Sequence, residues 1–153
     1  MIWGDPSLYD SSLRIAERLK AKNTAVKINV IPGVTAVQLL TAAHGIPLNE
    51  LGAPVTISTG RQLHNTGWPE GCETLVVMLD GQTAFDTLDP EQFHIWWGAY
   101  LGMKEEILIS GPLITCCDTI KSQRCKARKN HGWIMDTYLL RKIKHPIDRI
   151  YSS

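Results

Sequence analysis

Apolar positions recur along the chain with a period near 3.6 in some stretches and near 2 in others, and the switches between them mark the elements. In "SLYDSSLRIAERLKAK", Leu8, Ser12, Ile15, Ala16 and Leu19 fall on one face with polar and charged residues opposite, as an amphipathic helix requires. The β-branched run "AVKINVI" reads as a strand that stops at Pro32-Gly33. Helix signals return in "PGVTAVQLLTAAHG", where Thr35 caps the start, Ala and Leu favour the interior and Gly45 suits the C-terminal cap. Ile2 and Trp3 precede a Gly-Asp-Pro turn of the kind that ends a buried strand. The first 45 residues therefore read strand end, helix, strand, helix, the order of a parallel sheet.

The stretch "GIPLNELGAP", with two prolines and two glycines, reads as a crossing between domains, dividing the chain into residues 1–51 and 52–153. Beyond it, "VTIST", "TLVVMLD", "IWWGAYL" and "EILIS" are strand candidates between turn signals. Asp89-Pro90-Glu91 has the cap and first-turn proline of a short helix start. A helical pattern runs from Pro112 to about Asn130 and is closed by Gly132, while "WIMDTYLLRKI" is apolar enough for either a helix or a strand. The expected fold class is α/β, with Val55, Ile57, Leu75, Val77, Trp97, Leu108 and Leu113 in the core of the second unit.

With 153 residues, 44% of them hydrophobic, the chain suffices for one ordinary domain or two small ones. No apolar run reaches the roughly 20 residues of a membrane helix and no signal-peptide pattern opens the chain, so the expected location is cytoplasmic, away from membranes. Cys72, Cys116, Cys117 and Cys125 form no CxxC pair and no metal-ligand spacing with histidine, so they read as reduced thiols and no metal is expected. Residues 1–120 carry 7 Lys/Arg against 13 Asp/Glu, and residues 121–153 carry 9 against 2. The basic run "KSQRCKARKNH" lacks interleaved aromatics, which favours a solvated helix face, or one turned to a polyanionic small molecule, over a nucleic-acid surface.

The chain has no GxSxG elbow, no GxxxxGK[ST] phosphate loop and no HExxH, and its histidines are scattered. What stands out are two strand-to-helix turns, "WGDPSLYD" and "VIPGVTAVQ", about 30 residues apart, the span of one strand-helix-strand unit. In an open parallel sheet such loops reach the same edge, where ligands bind. Gly4 and Gly33 allow close backbone approach, Asp5 offers an acceptor and Thr35 a hydroxyl at a helix start.

The wording of three segments is more specific than their spacing. "WGDPSLYDSSLRIAERL", "VIPGVTAVQLLTAAHGIPLN" and "TLVVMLDG" together resemble the tetrapyrrole methylases, the S-adenosylmethionine-dependent methyltransferases of cobalamin and sirohaem biosynthesis. "WWGAYLGMKEEILISGPL" and "HGWIMDTYLLRK" resemble the branch that methylates precorrin-5 at C1 and releases acetate, and the resemblance covers essentially the whole chain. It implies two α/β domains with the active site in the cleft between them: here the remnant of a parallel-sheet first domain and a mixed-sheet second one. It also implies that the Gly-Asp-Pro loop follows about the third strand of the first domain. Two to three strand-helix units, on the order of 60–90 residues, would then precede this sequence as the C-terminal portion of a longer enzyme.

The resemblance assigns Trp3, Gly4 and Asp5 to the amino-acid part of the cofactor, Thr35 and Ala36 to the pair after Pro-Gly, and Met78 or Leu79 to the adenine. The segment Trp97, Gly98 and Ala99 corresponds to a strand whose backbone contacts the adenosine. Methyl transfer from a sulfonium is an in-line displacement, so alignment and exclusion of water suffice and no protein nucleophile is needed. A tetrapyrrole bearing many carboxylates calls for cations, for which Arg61 and Arg141 are the candidates. Release of acetate needs water and a base, for which Asp80, His131 and Asp136 are candidates. The family leaves room for a homodimer. Two rival readings are a non-catalytic remnant that folds without cofactor affinity and a nucleic-acid-binding module using the basic tail.

Overall fold

In a computed structural model the described residues are 5–22 and 25–143. Their order is α1 (Ser12–Lys22), α2 (Ala36–His44), β1 (Val55–Thr59), α3 (Gly60–Thr66), β2 (Thr74–Met78), a 3-10 turn (Ala84–Thr87), β3 (Phe93–Ala99), β4 (Ile107–Pro112), α4 (Leu113–His131) and β5 (Asp136–Lys142). The strands form one five-stranded sheet in the order β1-β2-β5-β3-β4. β1 and β2 are parallel, joined through α3, and every other pairing is antiparallel, so the sheet is mixed.

Both caps read for α2 are present. Thr35 and Gln38 form a capping box, and Gly45 closes the helix in the left-handed conformation at φ 63°, its N–H donating to Ala42 O at 3.1 Å. The ambiguous segment after Gly132 is a strand, and the innermost one. Tyr138 and Leu140 point to one face and Leu139 to the other, all fully buried, so both faces are apolar and the period-2 signal is masked.

Alternate strand residues feed two cores. On one face Leu75, Val77, Ile95, Trp97, Tyr138 and Leu140 meet Leu63 of α3, Phe85 of the 3-10 turn and Leu113, Cys116 and Ile120 of α4. On the other, Val76 and Leu139 meet Val37 and Leu40 of α2, with Leu8, Val55, Met78 and Trp96 packed around them. Each fully buried aliphatic or aromatic side chain contributes about 1.5–3 kcal/mol, which places most of the stabilisation on the first face. All four cysteines are free, and burial with the Asp86 carboxylate pushes the Cys117 thiol up to about 11.

Three expectations need correction. Ile57 and Leu108 are exposed rather than core, because both lie on the α2 face in the two edge strands, where a single short helix leaves them partly uncovered. Asp89-Pro90-Glu91 opens a turn, not a helix: Gln92 N–H returns to Asp89 O at 3.2 Å and β3 begins at Phe93. The run at 26–31 joins no sheet among the described residues. Without a neighbouring ladder its β-branched side chains cannot be held in a pleat, and Ile28, Val30 and Ile31 are exposed. α1 forms with the expected face, but none of its residues is buried.

Candidate functional site

The two turn loops singled out in the sequence are joined by Asp5. Its Oδ2 accepts the Gly33 N–H at 2.9 Å, while Oδ1 accepts the Ser7 N–H at 2.8 Å and the Ser7 hydroxyl. These bonds, the Gly33 amide foremost, hold the Asp5 carboxyl below its ordinary range. Tyr9 ties the same loop to the sheet, its hydroxyl donating to Ile57 O at 3.3 Å.

Between these loops and the ends of three strands lies a cavity of about 380 Å³. The first loop contributes Asp5, Leu8, Tyr9 and Asp10, and the second Val34, Thr35 and Ala36, with Leu39 behind them. Met78 and Leu79 come from the end of β2, Tyr100, Leu101 and Met103 from beyond β3, and Trp133, Met135 and Thr137 from the approach to β5. The wall is largely apolar and aromatic, and among the described residues its carboxylates are those of Asp5 and Asp10. Asp10 Oδ1 accepts the Ser12 N–H at 2.6 Å, and that bond with the Ser12 hydroxyl lowers its pKa.

Backbone strain gathers at this cavity. Tyr9 (φ 51°), Leu79 (φ 53°) and Tyr100 (φ 52°) all line it in the left-handed conformation, and Thr83 is the one other non-glycine residue described with positive φ. Bulky residues adopt that region only when their surroundings impose it, and such positions cluster where ligands bind. For Tyr100 the surroundings are visible: its N–H donates to Met135 O at 3.0 Å, its hydroxyl to Trp133 O at 2.5 Å, and its ring meets His131 and Trp133 edge-on. Burial, then the charges of Asp136 and Glu105, raise its pKa.

Behind the cavity, on the opposite face of the sheet, lies a buried polar network. The Asp80 carboxylate accepts from Gln82 N–H (2.9 Å), Ala84 N–H (2.6 Å) and Tyr138 OH (2.7 Å). Asp136 accepts the Trp97 indole N–H at 2.8 Å. Arg124 donates through Nη2 to Asp80 O at 2.6 Å and sets Nη1 3.1 Å from Asp136 Oδ2, an ion pair without hydrogen-bond alignment. Burial raises the Asp136 pKa despite the opposing Arg124 charge, and raises that of Tyr138 further.

Of the residues singled out by resemblance, the structure brings Asp5, Thr35, Ala36, Met78 and Leu79 together at the cavity. Trp3 and Gly4 lie outside the described residues. Trp97, Gly98 and Ala99 do not line it: the Trp97 and Ala99 side chains are buried on the opposite face, and the Trp97 carbonyl is 3.0 Å from His44 Nε2. Arg61 stands exposed in the first turn of α3, away from the cavity. Arg141 is committed within the chain, donating to Pro47 O at 2.5 Å and Thr74 Oγ1 at 3.2 Å, 3.6 Å from Glu50, with its guanidinium over the Trp96 ring. Asp80 and Asp136 belong to the buried network, whereas exposed His131 touches the cavity ring of Tyr100.

Sequence reasoning missed Tyr9, Asp10, Tyr100, Leu101, Met103, Trp133, Met135 and Thr137. The last three carry a legible signal, since a strand reading of "WIMDT" puts positions 133, 135 and 137 on one face. The others depend on turns whose direction follows only from tertiary packing.

The sequence model of the tetrapyrrole (corrin/porphyrin) methylases matches residues 1–115. Over 143 residues the chain is 52% identical to a precorrin-6A synthase (deacetylating) of a Sinorhizobium species, covering 93% of this chain and 54% of that protein. It thus spans about half the length of the curated relative that it matches. The crystal structure of a cobalamin synthesis related protein (CobF) from Corynebacterium diphtheriae superimposes with a TM-score of 0.87 at 44% identity, over 94% of this chain and 60% of that one. Uroporphyrin-III C-methyltransferase of Thermus thermophilus, solved with S-adenosyl homocysteine, shares the fold at 18% identity and a TM-score of 0.54, over 97% of this chain and 65% of that one. With three quarters of its length inside the family match and this fold, the chain belongs to the tetrapyrrole methylases.

Proposed function

We propose that the cavity binds S-adenosylmethionine and that the chain serves the methylation of precorrin-5 at C1, with release of acetate to give precorrin-6A, in the cytoplasm. The observation that carries this reading is the convergence of both turn loops and the Met78-Leu79 pair on one strained, aromatic-walled cavity, in a chain so similar to a precorrin-6A synthase.

The wall suits the group. A volume of about 380 Å³ lies within the roughly 300–1,000 Å³ of small-molecule sites. The N-terminal end of α2, at Thr35 and Ala36, favours a carboxylate, while Asp5 and Asp10 favour an ammonium. Tyr9, Tyr100, Trp133, Met78 and Leu79 offer an apolar and aromatic bed for a purine. Bound there, S-adenosylmethionine supplies a methyl group on a sulfonium whose sulfur leaves as a neutral thioether. The protein's own work is to orient and to exclude water, which matches a wall without a nucleophile. Of the candidate bases, His131 is the one whose ring touches the cavity wall, so it is the residue to test for acetate release.

Calorimetric titration with S-adenosylhomocysteine tests the reading. Saturable binding, weakened roughly tenfold in an Asp5→Ala variant that frees the Gly33 amide, supports it and makes a methylation assay with precorrin-5 the next step. A folded sample with no heat of binding sinks it. That outcome fits a second reading, a folded chain without cofactor affinity, which the exposed apolar face of α1 and residues 28–34 and the internal commitment of Arg141 favour.

A further inference from the structure

The ladder between β2 and β5 ends at Met78 opposite Thr137, and that between β3 and β5 at Ala99 opposite Asp136. Leu79, Tyr100 and Met135, all cavity residues, lie just past these last pairs. β3 stays tied to β5 there through the Tyr100 N–H to Met135 O bond. Among the described residues no such backbone bond extends the end of β2, which is held from the opposite face.

Arg124 of α4 spans the gap. One arm of its guanidinium donates to the Asp80 carbonyl, the residue after left-handed Leu79, and the other faces the Asp136 carboxylate, between Met135 and Thr137. The side chain is almost wholly buried, and its Nη1 has no hydrogen-bond partner, so on that side charge alone holds it. Tyr138 OH adds a second tie to Asp80 from β5. The junction is crowded: a Cβ on Gly60 would fall 2.4 Å from Asp80 Cγ, so α3 also presses on this carboxylate.

We propose that Arg124 is a positioning residue for the cavity: by joining the Asp80 carbonyl to the Asp136 carboxylate where the β2–β5 ladder stops, it sets the spacing of Leu79 from Met135 and so the width of the cavity on the other face. The proposal rests on that cavity being the cofactor site proposed above. A planar fork donates to one group while holding its charge against a second, which a compact lysine ammonium does less well. Removing the cation alone would leave the buried Asp136 with its indole donor but no opposite charge, so the informative change removes both charges.

Three variants test this: Arg124→Met with Asp136→Asn, Arg124→Lys, and Ile120→Val as a control in the same helix and core. Each is titrated with S-adenosylhomocysteine, melted, and followed by amide hydrogen exchange. The double variant is expected to bind about tenfold more weakly and to exchange about tenfold faster at residues 79–84 and 133–137, with β1 unaltered. Arg124→Lys falls between, and the control changes neither readout beyond about twofold at a comparable loss of melting temperature. A double variant with the parent's affinity and exchange overturns the proposal, as does a control that loosens the same two segments equally. If the double variant does not fold, Arg124→Lys decides through the same two readouts. If the parent itself binds no S-adenosylhomocysteine, the cofactor reading falls, and exchange at the two segments decides the positioning role by itself.

Discussion

Under one face of the sheet, α3, α4 and the 3-10 turn lay a cover beneath which Trp97, Tyr138 and Leu140 lose all contact with solvent; over the other, the nine residues of α2 leave Ile57 and Leu108 exposed in the edge strands. Along the same strands, residues one position apart therefore do different work. Leu79 lines the cavity and Asp80 anchors the buried network; Met135 and Thr137 line the cavity and Asp136 pairs with Arg124. Because successive side chains point to opposite faces, substitutions at neighbouring positions probe the two faces one at a time, with the Arg124–Asp136 pair as the proposed link between them.

The largest effect belongs to the covered face. Trp97→Ala removes a fully buried ring and leaves Asp136 without its indole donor, an expected loss of about 3–5 kcal/mol in urea denaturation. Ile57→Ala and Leu108→Ala, at the edges of the α2 face, are expected to cost under about 1 kcal/mol each. Comparable losses on both faces would break the comparison. Next comes the seam between α2 and the sheet. A Cβ at Gly98 would stand 2.6 Å from Leu101 Cδ2 and 2.9 Å from Leu40 Cδ1, both on the α2 face. Gly98→Ala should therefore cost about 1–3 kcal/mol by overpacking and shift Leu101 at the cavity wall, so that affinity for S-adenosylhomocysteine falls together with the melting temperature. A variant that keeps the affinity while losing stability would show that α2 can move without disturbing the cavity.

The same contrast explains what the sequence made legible. α2 could be read to the residue because its caps are local chemistry: Thr35 and Gln38 meet across one turn, and Gly45 needs no neighbour to take positive φ. The strands were legible as apolar runs, but which face each residue occupies depends on what covers it, and that is non-local. Hence Ile57 and Leu108, as apolar as Val77, read as core and lie exposed. The run at 26–31 shows the same limit: β-branched residues favour a strand, yet a strand exists only beside another. At the candidate site, the spacing of the two turns pointed to Asp5 and Thr35 and resemblance added Ala36 and the Met78-Leu79 pair, whereas Tyr100 enters through a left-handed turn that no short window of sequence encodes.

Titration offers a smaller effect of opposite sign on the two faces. Burial raises Asp136 above the ordinary value near 3.9, so its contribution to stability is complete below that value and declines as pH rises through the folded pKa. Asp5 is lowered by the Gly33 amide and Ser7, so its contribution is present above the ordinary value and is lost as pH falls through the folded pKa. Carboxyl carbon shifts followed from about pH 7 to about pH 2 should place the two midpoints on opposite sides of the ordinary value. An Asp5 midpoint at or above the ordinary value would mean that the Asp5 link between the loops is not populated in solution.

The smallest effect is expected where the apolar face is least covered. Ile15 and Leu19 share one side of α1 and are each 54% exposed, and no residue of that helix is buried. Replacing both with serine removes little that folding had buried, so denaturation should shift by no more than about 0.5 kcal/mol. The same change shrinks the exposed apolar surface, to which Ile28, Val30 and Ile31 also contribute, and such surface drives association. Sedimentation of the double variant should therefore show less self-association than the parent at equal stability. A loss above about 1 kcal/mol would instead mean that α1 packs against the rest of the chain in solution.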